Sequence, residues 1–114
     1  MERTFIELPL FSKIWKEAGL NDDDLRLLQR HLLENPKAGS VMQGISGLRK
    51  IRWNVHGHGK SGGVRICYLD LPDAFILILI HVFKKNEKDN LTSDEKIEFK
   101  NIVNEIKNNY KTND

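Results

Sequence analysis

Six basic residues lie together in a part of the sequence that contains no acidic residue. Between Asn35 and Leu69 the chain has no Asp or Glu. The basic residues in this stretch are Lys37, Arg49, Lys50, Arg52, Lys60 and Arg65. The whole chain of 114 residues has 18 basic and 16 acidic residues, so without these six it carries a net charge of −4. A slightly basic average therefore conceals one strongly cationic segment.

Lysine and arginine residues grouped in this way are suited to binding phosphate. The guanidinium of Arg forms two parallel hydrogen bonds to phosphate oxygens, and the ammonium of Lys acts as a compact point charge. Such a surface binds nucleic acid mainly through the sugar–phosphate backbone, with an affinity that falls as salt rises. A merely solvated face is the alternative, but such faces usually mix both signs of charge, and 35 consecutive residues here lack any acid. The pattern therefore favours nucleic-acid binding.

The histidines and the single cysteine do not form a metal or nucleotide motif. His56 and His58 lie in a Gly-rich loop without a third ligand nearby, so we interpret them as loop residues or RNA contacts rather than a metal site. His81 follows an apolar run and Cys67 alternates with apolar residues, which places both in the core or at its edge. The Gly-Lys-Ser in this loop lacks the first Gly of a P-loop and joins two strands. No cofactor or metal is predicted.

Consecutive predicted strands carry the cations, and side chains alternate between the two faces of a strand. In the strand 48–53, Lys50 and Arg52 share one face and Arg49 lies on the other. An antiparallel meander would bring basic side chains of the next two strands beside that face. The residues that then converge are Lys50, Arg52, Arg65 and Lys85, whereas Lys84 lies on the opposite side.

The remaining sequence supplies the elements that must hold these strands. The stretch 74–83 is apolar on both faces and is predicted to be a covered central strand. Thr92 and Glu95 form a capping box before a C-terminal helix. Its apolar stripe comprises Phe99, Ile102, Val103, Ile106 and Tyr110. The other predicted elements are a strand at 3–8, helices at 10–19 and 21–34, a loop at 38–47 and a strand at 64–71. The order predicts an α+β domain with an antiparallel β-sheet and its helices on one face.

Size and composition predict one domain over residues 1–114 in the cytoplasm. A chain of this length can bury a sufficient core without disulfides, and a single cysteine, Cys67, cannot form an internal one. The N-terminus lacks the pattern of a signal peptide. The longest apolar run, 74–80, is far shorter than the ~20 residues that span a bilayer. No membrane association is expected.

Three stretches of the sequence resemble the RelE/ParE superfamily of toxins, and within it the HigB-like branch. They read NPKAGSVMQGISGLRKIRW, GKSGGVRICYL and LIHVFKKNEKDNLTSDE. The resemblance covers nearly the whole chain and implies a RelE-like fold with an N-terminal strand, a helical hairpin, a three-stranded meander and a C-terminal helix. It further implies the toxin of a type II toxin–antitoxin pair. Most such toxins enter the ribosomal A site and cut mRNA, so the implied partners are the ribosome, mRNA and a cognate antitoxin of the helix-turn-helix type.

The resemblance also implies roles for single residues. Lys50 and Arg52 match the two basic positions of the family's second strand, Arg65 matches its arginine near the start of the third, and Lys85 matches a basic position after the last. These four are the expected catalytic residues, which would stabilise the phosphorane formed when the RNA 2′-hydroxyl attacks the adjacent phosphate. The family's tyrosine is absent, and Leu91 stands about there. The expected RNA contacts are Arg49, His56, His58, Lys60 and Lys84, and one of the two histidines is a candidate substitute for the tyrosine.

Two alternatives stay open on the sequence. ParE-like members share the fold but inhibit DNA gyrase without cutting RNA, and they generally lack the cationic set on the second and third strands. A basic module that binds RNA without catalysis is the other.

Overall fold

The computed structural model describes residues 2–54, 63–84, 87–88 and 90–110. In these residues the chain forms a five-stranded sheet and three α-helices. In chain order the elements are β1 (Thr4–Glu7), α1 (Pro9–Glu17), α2 (Asp22–Glu34), β2 (Ser40–Val41), β3 (Arg49–Asn54), β4 (Gly63–Leu71), a 3-10 turn (Pro72–Ala74), β5 (Ile76–Phe83) and α3 (Ser93–Asn109). The predicted α+β class is confirmed.

The sheet has the strand order β1-β5-β4-β3-β2. Strands β3, β4 and β5 form the predicted antiparallel meander. The expectation of a wholly antiparallel sheet is wrong in one place, because β1 lies parallel to β5. Arg3, just before β1, donates a 2.7 Å hydrogen bond from Nε to Asp70 Oδ1 of β4, which helps to fix β1 in this position. The two-residue strand β2, predicted as loop, lies antiparallel to β3.

Helices cover both faces of the sheet, which corrects the prediction that they lie on one face. Helices α1 and α2 pack Phe11, Trp15 and Leu28 against Ile66 and Tyr68 on one face. Helix α3 packs Val103 against a second cluster that contains Cys67, Leu69 and Ile78. Neighbouring residues of one strand thus enter different cores, as the two-residue period of a strand requires. We call these two surfaces the α1/α2 face and the α3 face.

Helices α2 and α3 both begin with a capping box, and the one at α3 is predicted by the sequence. The Asn21 side chain accepts a hydrogen bond from the backbone N–H of Asp24, whose carboxylate accepts one from the Asn21 backbone. Thr92 and Glu95 form the same reciprocal pair at α3. In α3 only part of the predicted stripe is covered: Val103 is fully buried, whereas Ile102 is 37% exposed.

A bulge in β5 sets which side chains reach the α3 face. Cys67 pairs with His81 and Tyr68 with Leu79, so Ile80 is an extra residue in β5. Ile80 belongs to the cluster under α3, and the His81 ring contacts Phe99 of α3 at 5.5 Å between ring centroids. Both side chains therefore point to the α3 face, and the alternation along β5 restarts after them.

Candidate nucleic-acid interface

The register of the meander brings three of the predicted catalytic residues together. Arg52 of β3 lies directly opposite Arg65 of β4, and Lys50 lies opposite Cys67. Residues opposite each other in an antiparallel pair share a face. Because Cys67 belongs to the cluster under α3, Lys50, Arg52 and Arg65 all lie on the α3 face.

The Arg52–Arg65 pair is an unfavourable arrangement in a sheet. Like charges directly opposite each other on neighbouring strands are destabilising. Arg52 is exposed and Arg65 is partly buried. The guanidinium of Arg65 donates a hydrogen bond from Nη2 to the backbone carbonyl of Glu87, beyond the end of β5. This bond fixes the position of the Arg65 guanidinium, so the register places two arginines opposite each other near the start of β4.

Two of the expected RNA contacts lie away from this cluster. Arg49 is on the α1/α2 face, where its Nη1 donates hydrogen bonds to the carbonyl of Gly39 at 2.7 Å and to that of Lys37 at 3.4 Å. Lys84 Nζ lies 3.5 Å from Glu17 Oε1 of α1. The structure therefore does not bring Arg49 and Lys84 together with Lys50, Arg52 and Arg65.

The buried side chain of Tyr68 explains why the sequence has an Asn-Pro-x-x-Gly turn at residues 35–39. The hydroxyl of Tyr68 donates a 2.8 Å hydrogen bond to the carbonyl of Pro36 and accepts a 2.9 Å bond from the N–H of Gly39. Burial raises the pKa of Tyr68, which keeps the hydroxyl protonated. A Cβ on Gly39 would lie 2.9 Å from the carbonyl oxygen of Lys50 and from Tyr68 Cε1. The Asn-Pro-x-x-Gly turn is therefore pressed against β3 at Lys50, and only glycine fits there.

This role of Tyr68 was missed by the sequence reasoning. The resemblance to the RelE/ParE superfamily implies a role for Arg65 and none for Tyr68, which lies three residues later in the same strand. The signal was present, because a tyrosine inside a buried strand needs a partner for its hydroxyl. The turn that supplies the partner, 36–39, is 29 or more residues earlier in the chain, so its position required the fold.

His81 lies in the row next to the cations but is part of the core edge. It is directly opposite Cys67 in the sheet and its ring contacts Phe83 and Phe99. Desolvation lowers the pKa of His81, and the nearby carboxylates of Glu87 and Glu95 oppose this shift. The imidazole is therefore held neutral at physiological pH, as expected for a histidine at the rim of the core.

Four predicted site residues lie outside the described residues: Lys85, His56, His58 and Lys60. Their expected roles stay predictions. Among residues 2–54, 63–84, 87–88 and 90–110, no three His, Cys, Asp or Glu side chains are grouped in a way that could bind a metal ion. In the same residues no helix is long and apolar enough to cross a membrane.

Solved structures with a similar fold include the toxin RelE of Escherichia coli and its complex with an antitoxin. A mutant of the E. coli toxin RelE in the free state matches with a TM-score of 0.57 and 19% identity, over 86% of this chain and 97% of RelE. The isolated E. coli RelE toxin matches with a TM-score of 0.55 and 18% identity, over 93% and 99% of the two chains. The intact E. coli RelBE toxin–antitoxin complex gives 0.54 and 20%, over 74% and 96%. No family model matches the sequence. Likeness at this identity shows the fold, so the chain has a RelE-like fold.

Proposed function

We propose that this chain is the toxin of a type II toxin–antitoxin pair, of the HigB-like branch, and that it cleaves mRNA on the ribosome. The observation that carries the proposal is the cross-strand pair Arg52–Arg65, with Lys50 two residues from Arg52 on the same face. The proteins that share the fold include the RelE toxin and the RelBE toxin–antitoxin complex. The sequence resemblance described above points to the same class of protein.

The proposed reaction is an internal phosphoryl transfer. The 2′ oxygen of the RNA forms a bond to the adjacent phosphorus and gives its proton to a water molecule, and the bond from phosphorus to the 5′ oxygen breaks. The products are a 2′,3′-cyclic phosphate and a 5′-hydroxyl, which takes up one proton. The pentacoordinate intermediate carries more negative charge than the substrate, so fixed cations stabilise it more than the ground state.

The four expected catalytic residues divide these tasks. Arg65, held by the carbonyl of Glu87, faces the reacting phosphate, and Lys85 is the expected second cation there. Lys50 and Arg52 bind the flanking phosphates, and one of them donates the proton to the leaving 5′ oxygen. In this scheme the ribosome contributes to the rate of cleavage, because it holds the mRNA with the 2′-hydroxyl in position to attack the phosphate.

The proposal includes partners and a location. The substrate is mRNA, and the ribosome is the partner that holds it. The protein acts in the cytoplasm, where translation takes place. A cognate antitoxin of the helix-turn-helix type restrains it, since a free enzyme of this kind would stop the growth of its host.

The test is cleavage of a defined mRNA on translating ribosomes, read by mapping the new 5′ ends. The wild-type chain and Lys100→Ala, which removes an exposed lysine of α3, are expected to give ends in phase with the codons. Arg52→Ala and Arg65→Ala should lower cleavage by about 100-fold or more, the usual effect of removing one charge-stabilising group. Melting temperatures near that of the wild type would show that the variants fold.

Three results would contradict the proposal. If the mRNA stays intact on ribosomes with every protein, including the wild type, the chain has no ribosome-dependent nuclease activity. Loss of DNA supercoiling by gyrase in a parallel assay supports the ParE-like alternative. Ribosome or RNA binding without new 5′ ends supports a non-catalytic RNA-binding module.

A further inference from the structure

A groove of about 430 Å³ opens on the α3 face beside Lys50. It lies between β2, the loop that follows β2, and the beginning of α3. The described residues that line it include Met42, Gln43, Lys50, Asn90, Leu91 and Lys96. Its volume falls within the range of ~300–1,000 Å³ that is typical of sites for small organic ligands.

Helix α3 separates this groove from a second one of opposite charge. Lys96 and Lys107 are three helical turns apart and therefore lie on one side of α3. Lys107 Nζ donates a hydrogen bond to the carbonyl of Ser46, so this side faces the loop after β2. The other side of α3 borders a groove lined by three acidic residues and one lysine: Glu87, Glu95, Glu98 and Lys88. The groove beside Lys50 has two lysines and, among its described lining residues, no acid.

The lining residues offer three kinds of contact. Lys50 and Lys96 supply positive charge for a phosphate. Gln43 and Asn90, both exposed, supply side-chain amides, each of which donates and accepts hydrogen bonds. The apolar side chains of Met42 and Leu91 supply a surface for a flat ring. An amide that donates and accepts side by side matches the edge of a nucleobase, so charge, amides and apolar surface together fit one nucleotide.

We propose that this groove binds the nucleotide next to the phosphate that is cut, and that Gln43 and Asn90 read its base. The inference rests on the proposed function and extends it to sequence preference. Lys50 and Arg52 are two residues apart on β3, about 7 Å along the strand, so a nucleotide in the groove leads directly to the Arg52–Arg65 pair. Lys96 binds the phosphate on the far side of that nucleotide.

The first test compares cleavage preferences. The double variant Gln43→Ala/Asn90→Ala is assayed on ribosomes with an mRNA that contains all codons, and the 5′ ends are mapped. The preference among bases next to the cut should fall by about 10-fold, as expected when bidentate amide contacts are lost, while cleavage itself continues. The matched control Gln29→Ala/Asn104→Ala removes one glutamine from α2 and one asparagine from α3, neither of which lines the groove. It should keep the wild-type base preference.

The second test measures the phosphate contact without catalysis. Binding of a fluorescein-labelled single-stranded RNA of ten nucleotides is measured over a range of salt concentrations. Lys96→Ala should reduce the slope of log affinity against log salt by about 0.7, the value for one phosphate contact on a single strand. Lys100→Ala should leave the slope unchanged.

The outcomes separate this inference from the proposed function. If the wild type cuts mRNA and the Gln43/Asn90 variant keeps the same base preference, the base-reading groove is overturned and the nuclease stands. An unchanged salt slope for Lys96→Ala overturns the phosphate contact. If the wild type cuts no mRNA on ribosomes, the proposed function falls and the groove's role in cleavage falls with it.

Discussion

Arg52 of β3 and Arg65 of β4 lie directly opposite each other in the sheet, on the face that α3 only partly covers. Like charges directly opposite each other on neighbouring strands are unfavourable, whereas opposite charges and pairs with β-branched residues stabilise a sheet. The arrangement therefore costs stability. The Arg52–Arg65 pair is suited to bind a ligand that carries more than one negative charge.

The first prediction is that Arg52→Thr makes the protein more stable and less active. Relief of the repulsion, together with the good strand propensity of Thr, should raise the free energy of unfolding by about 0.2–1 kcal/mol. Cleavage on ribosomes should fall by about 100-fold. Urea unfolding and mapping of mRNA ends measure the two effects.

The control for this prediction is Arg49→Thr in the same strand. Arg49 holds the carbonyls of Gly39 and Lys37 on the other face, so its loss should lower the free energy of unfolding by about 1 kcal/mol. An Arg52→Thr protein that is destabilised as much as the Arg49→Thr protein would show that the pair is not repulsive.

The strand period was enough to predict which cations share a face. Lys50, Arg52 and Arg65 were assigned from alternation and a meander alone, and the register agrees with that assignment. The position of the turn 36–39 was not predictable, because the hydrogen bonds of Tyr68 and Arg49 that hold it join residues at least 10 apart. The strand β2 was missed because two residues are too few to show a period.

The placement of the helices was predicted wrongly although the sequence held the relevant signal. The stretch 74–83 was predicted as a strand covered on both faces, which requires a layer on each face. The strand is covered in this way but begins only at Ile76, because Ala74 lies in the 3-10 turn and Phe75 is 58% exposed. A strand covered on both faces is incompatible with a sheet whose helices all lie on one face. The bulge at Ile80 could not be predicted, since no glycine marks it and the apolar run continues through it.

The second prediction concerns the packing of α3. Val103 is fully buried on the sheet and Ile102 is 37% exposed, so the apolar stripe is narrower than the sequence suggests. Val103→Asp buries a charge and should lower the free energy of unfolding by about 3 kcal/mol or more. Ile102→Asp, next to it, should cost about 1 kcal/mol or less. Equal melting temperatures for the two variants would show that α3 does not pack through Val103.

The third prediction is that the Tyr68 hydroxyl holds the turn next to Lys50. Tyr68→Phe leaves the carbonyl of Pro36 and the N–H of Gly39 buried without their present partner. The free energy of unfolding should fall by about 1–3 kcal/mol. Tyr110→Phe, which removes the hydroxyl of a 38% exposed tyrosine, is the matched control and should be neutral. Urea unfolding measures the stability of both variants. Equal stability of Tyr68→Phe and Tyr110→Phe would show that the Tyr68 hydroxyl does not hold the turn.

The fourth prediction is a pH dependence of stability that comes from His81. Desolvation lowers the pKa of His81 in the folded state from its ordinary value of 6.5. Below pH 6.5 the unfolded state therefore binds a proton that the folded state resists, and stability falls as pH drops from about 7 towards the folded pKa. His81→Phe keeps an aromatic ring against Phe99 and should show a smaller fall in melting temperature between pH 7 and pH 5. An NMR titration of the wild-type His81 ring with a midpoint at or above 6.5 would contradict this prediction.

The last prediction concerns how the proposed antitoxin restrains the chain. It can cover Lys50 and Arg52 with acidic residues, or it can bind another surface and make the complex too bulky for the ribosomal A site. The second route fits the described surface better, because Phe75 is 58% exposed at the end of β5 that is remote from Arg65. An apolar grip resists salt, whereas exposed charge pairs weaken as salt rises. We therefore expect the complex to survive high salt.

The charge-reversal variant Lys50→Glu/Arg52→Glu tests the same prediction independently. It should abolish ribosome binding, because both reversed side chains would repel the RNA backbone, and it should leave the affinity for the antitoxin unchanged. Sedimentation with ribosomes and calorimetric titration with the co-purified antitoxin measure the two. A complex that dissociates at high salt, and that also weakens on charge reversal, would instead show that the antitoxin masks the cations directly.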